Sequence, residues 1–187
     1  MFKRILIPID GSPTANRGLK LALALAKEHD ATLYVLHVVE DLAVAKGFDG
    51  ALYVPAQFVD NLLAGLRDAG RKVLAQAEKT AMQNGLRPKT VLVETFGESV
   101  AGAILIQARK VRAELIVLGT HGRRGLARML MGSDAEAVVR EARVPVLLVR
   151  SLAATRPSRA TGNPVGARRP GTRAKKTPRK DVLRTAS

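Results

Sequence analysis

Cysteine and tryptophan are both missing from the 187 residues, and only six aromatic side chains are present, two Tyr and four Phe. Without cysteine there is no disulfide framework, no thiolate metal centre and no cysteine nucleophile. The three histidines, His29, His37 and His121, are scattered, which argues against a histidine-built zinc site. No apolar run reaches the roughly 18 residues of a membrane span. The opening MFKRILIPID has a short apolar run that ends in Asp10, and it lacks the cleavage region of a signal peptide. A soluble, cytoplasmic protein is expected. Acidic residues are scarce as well: 16 Asp and Glu stand against 31 Lys and Arg, a net charge of +15. What the chain does have is aliphatic bulk. Hydrophobic residues make up 47% of it. With so few aromatics, that composition suits a buried parallel sheet covered by helices.

The charge is unevenly placed. Residues 1–150 carry 21 basic and 15 acidic residues, a net of +6. Residues 151–187 carry ten basic residues against the single acid Asp181, a net of +9, with four Pro, three Gly and no aromatic. Such a segment cannot bury enough apolar surface to offset its chain entropy. A domain over 1–150 and a disordered basic tail over 151–187 are expected.

Along the body, apolar runs alternate with helical periodicity. Phe2–Asp10 reads as a buried strand. Ser12 followed by Pro13 reads as a helix start, hydroxyl as N-cap and Pro in the first helical position. Leu19, Ala22, Leu23 and Ala26 then recur at helical spacing. Ala31–Val39 is a second strand, 40–56 a loop, and Gln57–Asn84 a helix weakened by Gly65 and Gly70. Strands over Thr90–Thr95, Glu114–Gly119 and Val144–Arg150 are separated by helices over Glu98–Arg109 and Ser133–Ala142. Strict β/α alternation predicts a Rossmann-like α/β fold. Its core is a doubly wound, five-stranded parallel sheet with right-handed crossovers and helices on both faces.

In such sheets ligands bind beyond the carboxyl ends of the strands, where strand order reverses. The first strand ends in Pro8-Ile9-Asp10-Gly11-Ser12, the fourth in Gly119-Thr120-His121-Gly122. A basic loop then leads to Gly132-Ser133. Gly119 and Gly122 would let backbone approach a ligand where a side chain would collide. Gly132-Ser133 opens a helix whose free N–H groups and positive dipole end favour phosphate. Arg123, Arg124 and Arg128 lie between and could neutralise phosphate charge. Asp10 could accept hydrogen bonds from ribose hydroxyls, or simply cap the first helix region. Ser12 and Ser133 are caps first, and only Ser133 has a glycine setting that favours a second role. His121 has no nucleophile or orienting partner evident in the sequence.

These segments, KRILIPIDGS, LYVLHVV, ELIVLGTHGRRG and GSDAEAVVREARVPVLLVR, resemble the universal stress protein family over about residues 1–150, in order and at that family's spacing. The resemblance implies an adenine nucleotide alpha-hydrolase-like variant of the fold and ATP binding. Asp10 would lie near the ribose, Val38 beside the adenine, and Gly119, Gly122, Gly132 and Ser133 around ribose and phosphates. Pro8, Ser12 and Arg123 complete the candidate contacts. The sequence departs from many relatives at Asp134, a carboxylate where they carry an apolar residue. It would repel a nearby phosphate, or help hold Mg²⁺ beside one. The resemblance also implies a homodimer through the last strand, whose apolar edge needs cover.

A nucleotide-binding stress-response or regulatory module is the leading expectation. The chain has no GxxxxGK[ST] loop, so any ATP hydrolysis should be slow. The alternative is a nucleic-acid-associated protein that binds DNA or RNA phosphates through RPGTRAKKTPRK in the tail, an anionic membrane surface being open to the same charge attraction. A nucleotidyl transferase on the same architecture lacks a catalytic constellation to support it.

Overall fold

The computed structural model describes residues 1–40, 56–95, 97–120 and 131–150. The described residues fall within one compact unit, Met1–Ala153. The tail, 151–187, and the disorder expected of it lie outside the described residues. The elements run β1 (Arg4–Pro8), α1 (Pro13–His29), β2 (Thr32–Glu40), α2 (Ala56–Gln83), β3 (Lys89–Thr95), α3 (Val100–Lys110), β4 (Leu115–Gly119), α4 (Ser133–Glu141) and β5 (Val146–Val149). All strand pairs are parallel, in the order β3-β2-β1-β4-β5. The expected α/β sheet is therefore present, with β5 and β3 at its edges. No helix among the described residues is long and apolar enough to cross a membrane.

Alternation along the central strand sorts the core into two layers. Ile5 and Ile7 point to one face, where they pack with Leu19, Ala22 and Ala26 of α1 and Leu74, Ala77 and Ala81 of α2. Leu6 points to the other, against Ala101, Ile104 and Ala108 of α3 and Val138 of α4. Helices that face the sheet mostly with Ala can lie close to it. That is how a core with so few aromatics can still be close-packed.

Several boundaries differ from the sequence expectation. β1 is shorter than Phe2–Asp10, because the chain is already turning at Asp10. α3 starts after Ser99, whose Oγ accepts from the Gly102 N–H at 3.0 Å, rather than at Glu98. Glu40 closes β2 and Ala56 opens α2; the rest of the expected loop, 41–55, lies outside the described residues. At the amino edge of the sheet, the Lys3 N–H and the Arg4 guanidinium both bond Glu114. With the Lys3 N–H as the larger cause, they hold its carboxyl below the usual range.

The largest departure is in α2, which runs for 28 residues straight through both glycines. Gly65 is exposed, with nothing within 4 Å of where a Cβ would stand. Gly70 is buried, and a Cβ there would lie 2.6 Å from His37 Cδ2 and 2.8 Å from Leu92 Cδ1. Tertiary packing demands the second glycine and overrides its poor helix propensity. The two positions therefore respond oppositely. Gly65→Ala should stabilise the fold by about 0.5–1 kcal/mol, the usual helix-interior difference. Gly70→Ala should destabilise it by about 1–3 kcal/mol, because His37 and Leu92 must move. Urea denaturation of the two variants checks this; equal shifts of the same sign would contradict the packing argument.

Candidate functional site

Strand order reverses at β1, which has β2 on one side and β4 on the other. β1 ends at Pro8, opposite Leu36, while β2 continues to Glu40. A notch is left above the end of β1. Its floor is the Ile9–Ser12 turn, and its sides are the last residues of β2 and the exit of β4.

The floor is held by backbone and side-chain bonds together. The Ile9 N–H donates to Leu36 O at 2.8 Å. The Ile9 carbonyl accepts from His37 Nδ1 at 2.7 Å. Asp10 Oδ1 accepts from the Ser12 N–H at 2.9 Å, an Asx turn. Gly11 takes φ +82°, the left-handed region that suits glycine. Ser12 is buried, and its Oγ accepts from the Ala15 N–H at 3.1 Å, as expected of an N-cap ahead of Pro13. Ser12 is thus committed to capping as an acceptor. Asp10 shapes the turn through Oδ1, and it lies at the carboxyl end of β1.

On the β4 side, Gly119 lies against the first turn of α1. A Cβ there would stand 3.2 Å from Thr14 Cγ2 and 3.4 Å from the Ala15 N. The missing side chain admits α1, a packing role distinct from the ligand approach read from the sequence. The chain leaves the sheet at Thr120 and returns to the same point, where the Gly132 N–H donates to Thr120 O at 2.8 Å. Gly132, not Ser133, is the N-cap of α4, and it supplies no side-chain cap. Ser133 is the first helical residue and is exposed, as is Asp134. The first turn of α4 carries Asp134 and Glu136, which face its dipole.

Val38 is half-buried near the end of β2 and packs on the core layer under α3 and α4. Pro8, Asp10, Ser12, Val38, Gly119, Gly132 and Ser133 thus all lie at the carboxyl edge of the sheet. Gly122 and Arg123 lie outside the described residues, as do His121, Arg124 and Arg128. Among the described residues no group of three His, Cys, Asp or Glu could hold a metal ion by itself.

Two features were not read from the sequence. Arg67 on α2 makes a two-pronged bond to Glu94 at the end of β3, 2.8 and 2.7 Å long. That bond is the main reason the Glu94 carboxyl titrates below its ordinary range. His37, read only as a scattered histidine, is buried directly under the notch floor. Neither has a local sequence signal, since each partner lies 27 or 28 residues away.

The universal stress protein family model matches residues 1–150. Universal stress protein YxiE of Bacillus subtilis is 36% identical over 151 residues, 80% of this chain and all of that protein. A crystal structure from the same family in Burkholderia pseudomallei is 36% identical, with a TM-score of 0.62 over 80% of this chain and 96% of that one. More distant structures share the fold. One is a universal stress protein in complex with cAMP (22% identical, TM-score 0.54, covering 79% of this chain and 96% of that one). Another, from Archaeoglobus fulgidus, is in complex with dAMP (23%, TM-score 0.53, covering 79% and 97%). With the match spanning the whole described sheet and its notch, this chain belongs to the universal stress protein family.

Proposed function

We propose that the chain is an ATP-binding regulatory module of the stress response, with Mg²⁺ accompanying the nucleotide and hydrolysis slow at most. The observation that carries the reading is the notch itself. A left-handed glycine turn with a carboxylate and a helix start without a side-chain cap lie at the one place where strand order reverses. Adenine is the base of choice because distant neighbours of the same fold are complexes with cAMP and dAMP.

In this reading Asp10 accepts from ribose hydroxyls and Val38 lines the adenine, while Pro8 and Ser12 frame the floor. Gly132 and Ser133 present the first N–H groups of α4 to phosphate, with Gly119 on the same edge of the sheet, and Gly122 and Arg123 are the further contacts proposed from the sequence. Mg²⁺ would be held mainly through phosphate oxygens, with Asp134 near enough in sequence to assist.

Mass analysis of ligand released on denaturing the purified protein should reveal an adenine nucleotide. Gly132→Val is the sharper test. Gly132 has φ −76°, ordinary for any residue, and a Cβ there meets only Thr120 O at 3.5 Å. The variant should keep its melting temperature and lose ATP affinity by roughly tenfold or more, about 1.4 kcal/mol. Calorimetry that finds the affinity unchanged would sink the assignment. Gly119 makes a poor probe, because a side chain there strikes Thr14 first.

The same reading includes a homodimer through residues 144–150. β5 lies at a sheet edge, and all four of its residues are half-buried. Ile116 N–H bonds Pro145 O and Thr120 N–H bonds Val149 O, so odd-numbered residues face β4. The two-residue repeat turns the Val146 and Leu148 N–H groups outward, toward a second strand. Their hydrogen exchange should slow as protein concentration rises through the micromolar range. Rates independent of concentration, with sedimentation as monomer, would refute the dimer.

A second reading is favoured by the charge of the tail, ten basic residues against one acid in 151–187. Nucleic acid phosphates are the matching partner. Affinity for duplex DNA should fall with salt at a logarithmic slope of about −5 to −9 if roughly six to ten phosphates are contacted, without sequence preference. A 1–150 truncation should keep ATP binding and lose most DNA binding. A truncation that binds DNA as tightly as the full chain removes this reading.

A further inference from the structure

We propose that His37 is a positioning residue for the notch: its imidazole fixes the Ile9–Ser12 turn from beneath and couples that turn to the seating of α2. The inference rests on the reading of this turn as the ribose side of a nucleotide site.

His37 is only 4% exposed, within the β2 segment that passes below the exit of β1. Its Nδ1 lies 2.7 Å from the Ile9 carbonyl. A carbonyl only accepts, so Nδ1 carries the proton. The Ile9 N–H is already held by Leu36 O. Both polar groups of Ile9 are therefore tied to β2, one through backbone and one through this ring. The peptide that joins Ile9 to Asp10 is planar, so a fixed carbonyl also fixes the direction of the Asp10 N–H. That sets where the Asp10 carboxylate starts, and Asp10 in turn holds the Ser12 N–H.

The other edge of the ring meets α2. A Cβ on Gly70 would lie 2.6 Å from His37 Cδ2 and 3.2 Å from Nε2, so only glycine lets the helix seat on the imidazole. Three residues on, Val73 Cγ2 lies 3.4 Å from where a Gly11 Cβ would stand. α2 thus reaches the turn twice, through His37 and directly over Gly11. Arg67, one turn before Gly70, ties the same helix to Glu94. A shift of α2 must move the ring, the Ile9 carbonyl and the turn together. An apolar side chain would avoid the cost of burying a polar ring, but it would give the Ile9 carbonyl no donor.

The test compares His37→Leu with His37→Asn. The Asn side-chain nitrogen is bonded to Cγ, as Nδ1 is, so it keeps a donor for Ile9 O. Leucine removes it. In nucleotide-free protein, amide exchange at Ser12 should quicken by about tenfold in His37→Leu, the size of one hydrogen bond, and stay near wild type in His37→Asn. Gly70→Ala keeps the donor but displaces the ring, and it should quicken Ser12 exchange in the same way. ATP affinity measured by calorimetry should fall roughly tenfold with His37→Leu and recover with His37→Asn. Unchanged Ser12 exchange in both His37→Leu and Gly70→Ala would overturn the proposal. So would equal losses in the Leu and Asn variants, which would mark the ring as packing alone. If Ser12 exchange responds as stated while no variant, nor the wild type, binds ATP, the positioning role stands and the nucleotide reading fails.

Discussion

Everything at the notch follows from one constraint: a buried central strand that stops must still pair its backbone. β1 lies between β2 and β4 with Ile5, Leu6 and Ile7 almost wholly inaccessible. Ile9, just past its end, is buried as well, and an unpaired buried N–H or C=O costs about 1–3 kcal/mol. Past Pro8 the partners therefore change kind. Leu36 takes the Ile9 N–H, His37 supplies the Ile9 carbonyl, the Asp10 carboxylate takes the Ser12 N–H, and the Ser12 hydroxyl takes that of Ala15. Four bonds carry the chain from strand to helix. The Asp10 carboxylate is thus part of the fold, and the turn cannot be altered without altering the start of α1.

Such a floor forms only if the helices sit close enough to press on it. Small residues provide that. Gly18 brings α1 onto Ile7, with 3.4 Å from a would-be Cβ to Ile7 Cδ1, and Gly119 lets β4 approach the start of the same helix. Gly70 does the same for α2 over β2. The scarcity of aromatics and the placement of these glycines are one feature: flat, Ala-faced helices pressed onto an aliphatic sheet. A Cβ at Gly70 or Gly119 would press on a neighbour more closely than ordinary contact, at 2.6 and 3.2 Å.

How much of this the sequence disclosed depends on the range of the interaction. Strands and helices were legible because periodicity and apolar runs are local. Ser12-Pro13 announced the start of α1 from two adjacent residues. The helix expected from Glu98 starts two residues later, at Val100, with Ser99 as its cap. Ser133 was read as the cap of α4, yet Gly132 fills that place. A serine beside a glycine cannot be assigned until the Thr120–Gly132 bond fixes where the chain re-enters. Gly70 was misread as a weakness because its reason, the edge of His37, lies on another element. The same distance hid Arg67 and Glu94. The strand-end residues of the candidate site were gathered by one topological rule, whereas the residue beneath them needed coordinates.

The start of α4 sets an electrostatic condition on any anion that enters the notch. Gly132 offers no side-chain acceptor, so the positive end of the helix is left uncapped. Asp134 and Glu136 sit in that first turn, each a favourable partner for the dipole worth about 0.3–1 kcal/mol. A phosphate arriving there gains the N–H groups and meets two carboxylates that already neutralise part of the same field. Relatives with an apolar residue in place of Asp134 would lack one of those charges. If the proposed nucleotide binds there, a divalent cation between its phosphates and the carboxylate would turn a repulsion into shared coordination. Nucleotide affinity should then depend on Mg²⁺ more steeply here than in a chain whose first turn is neutral.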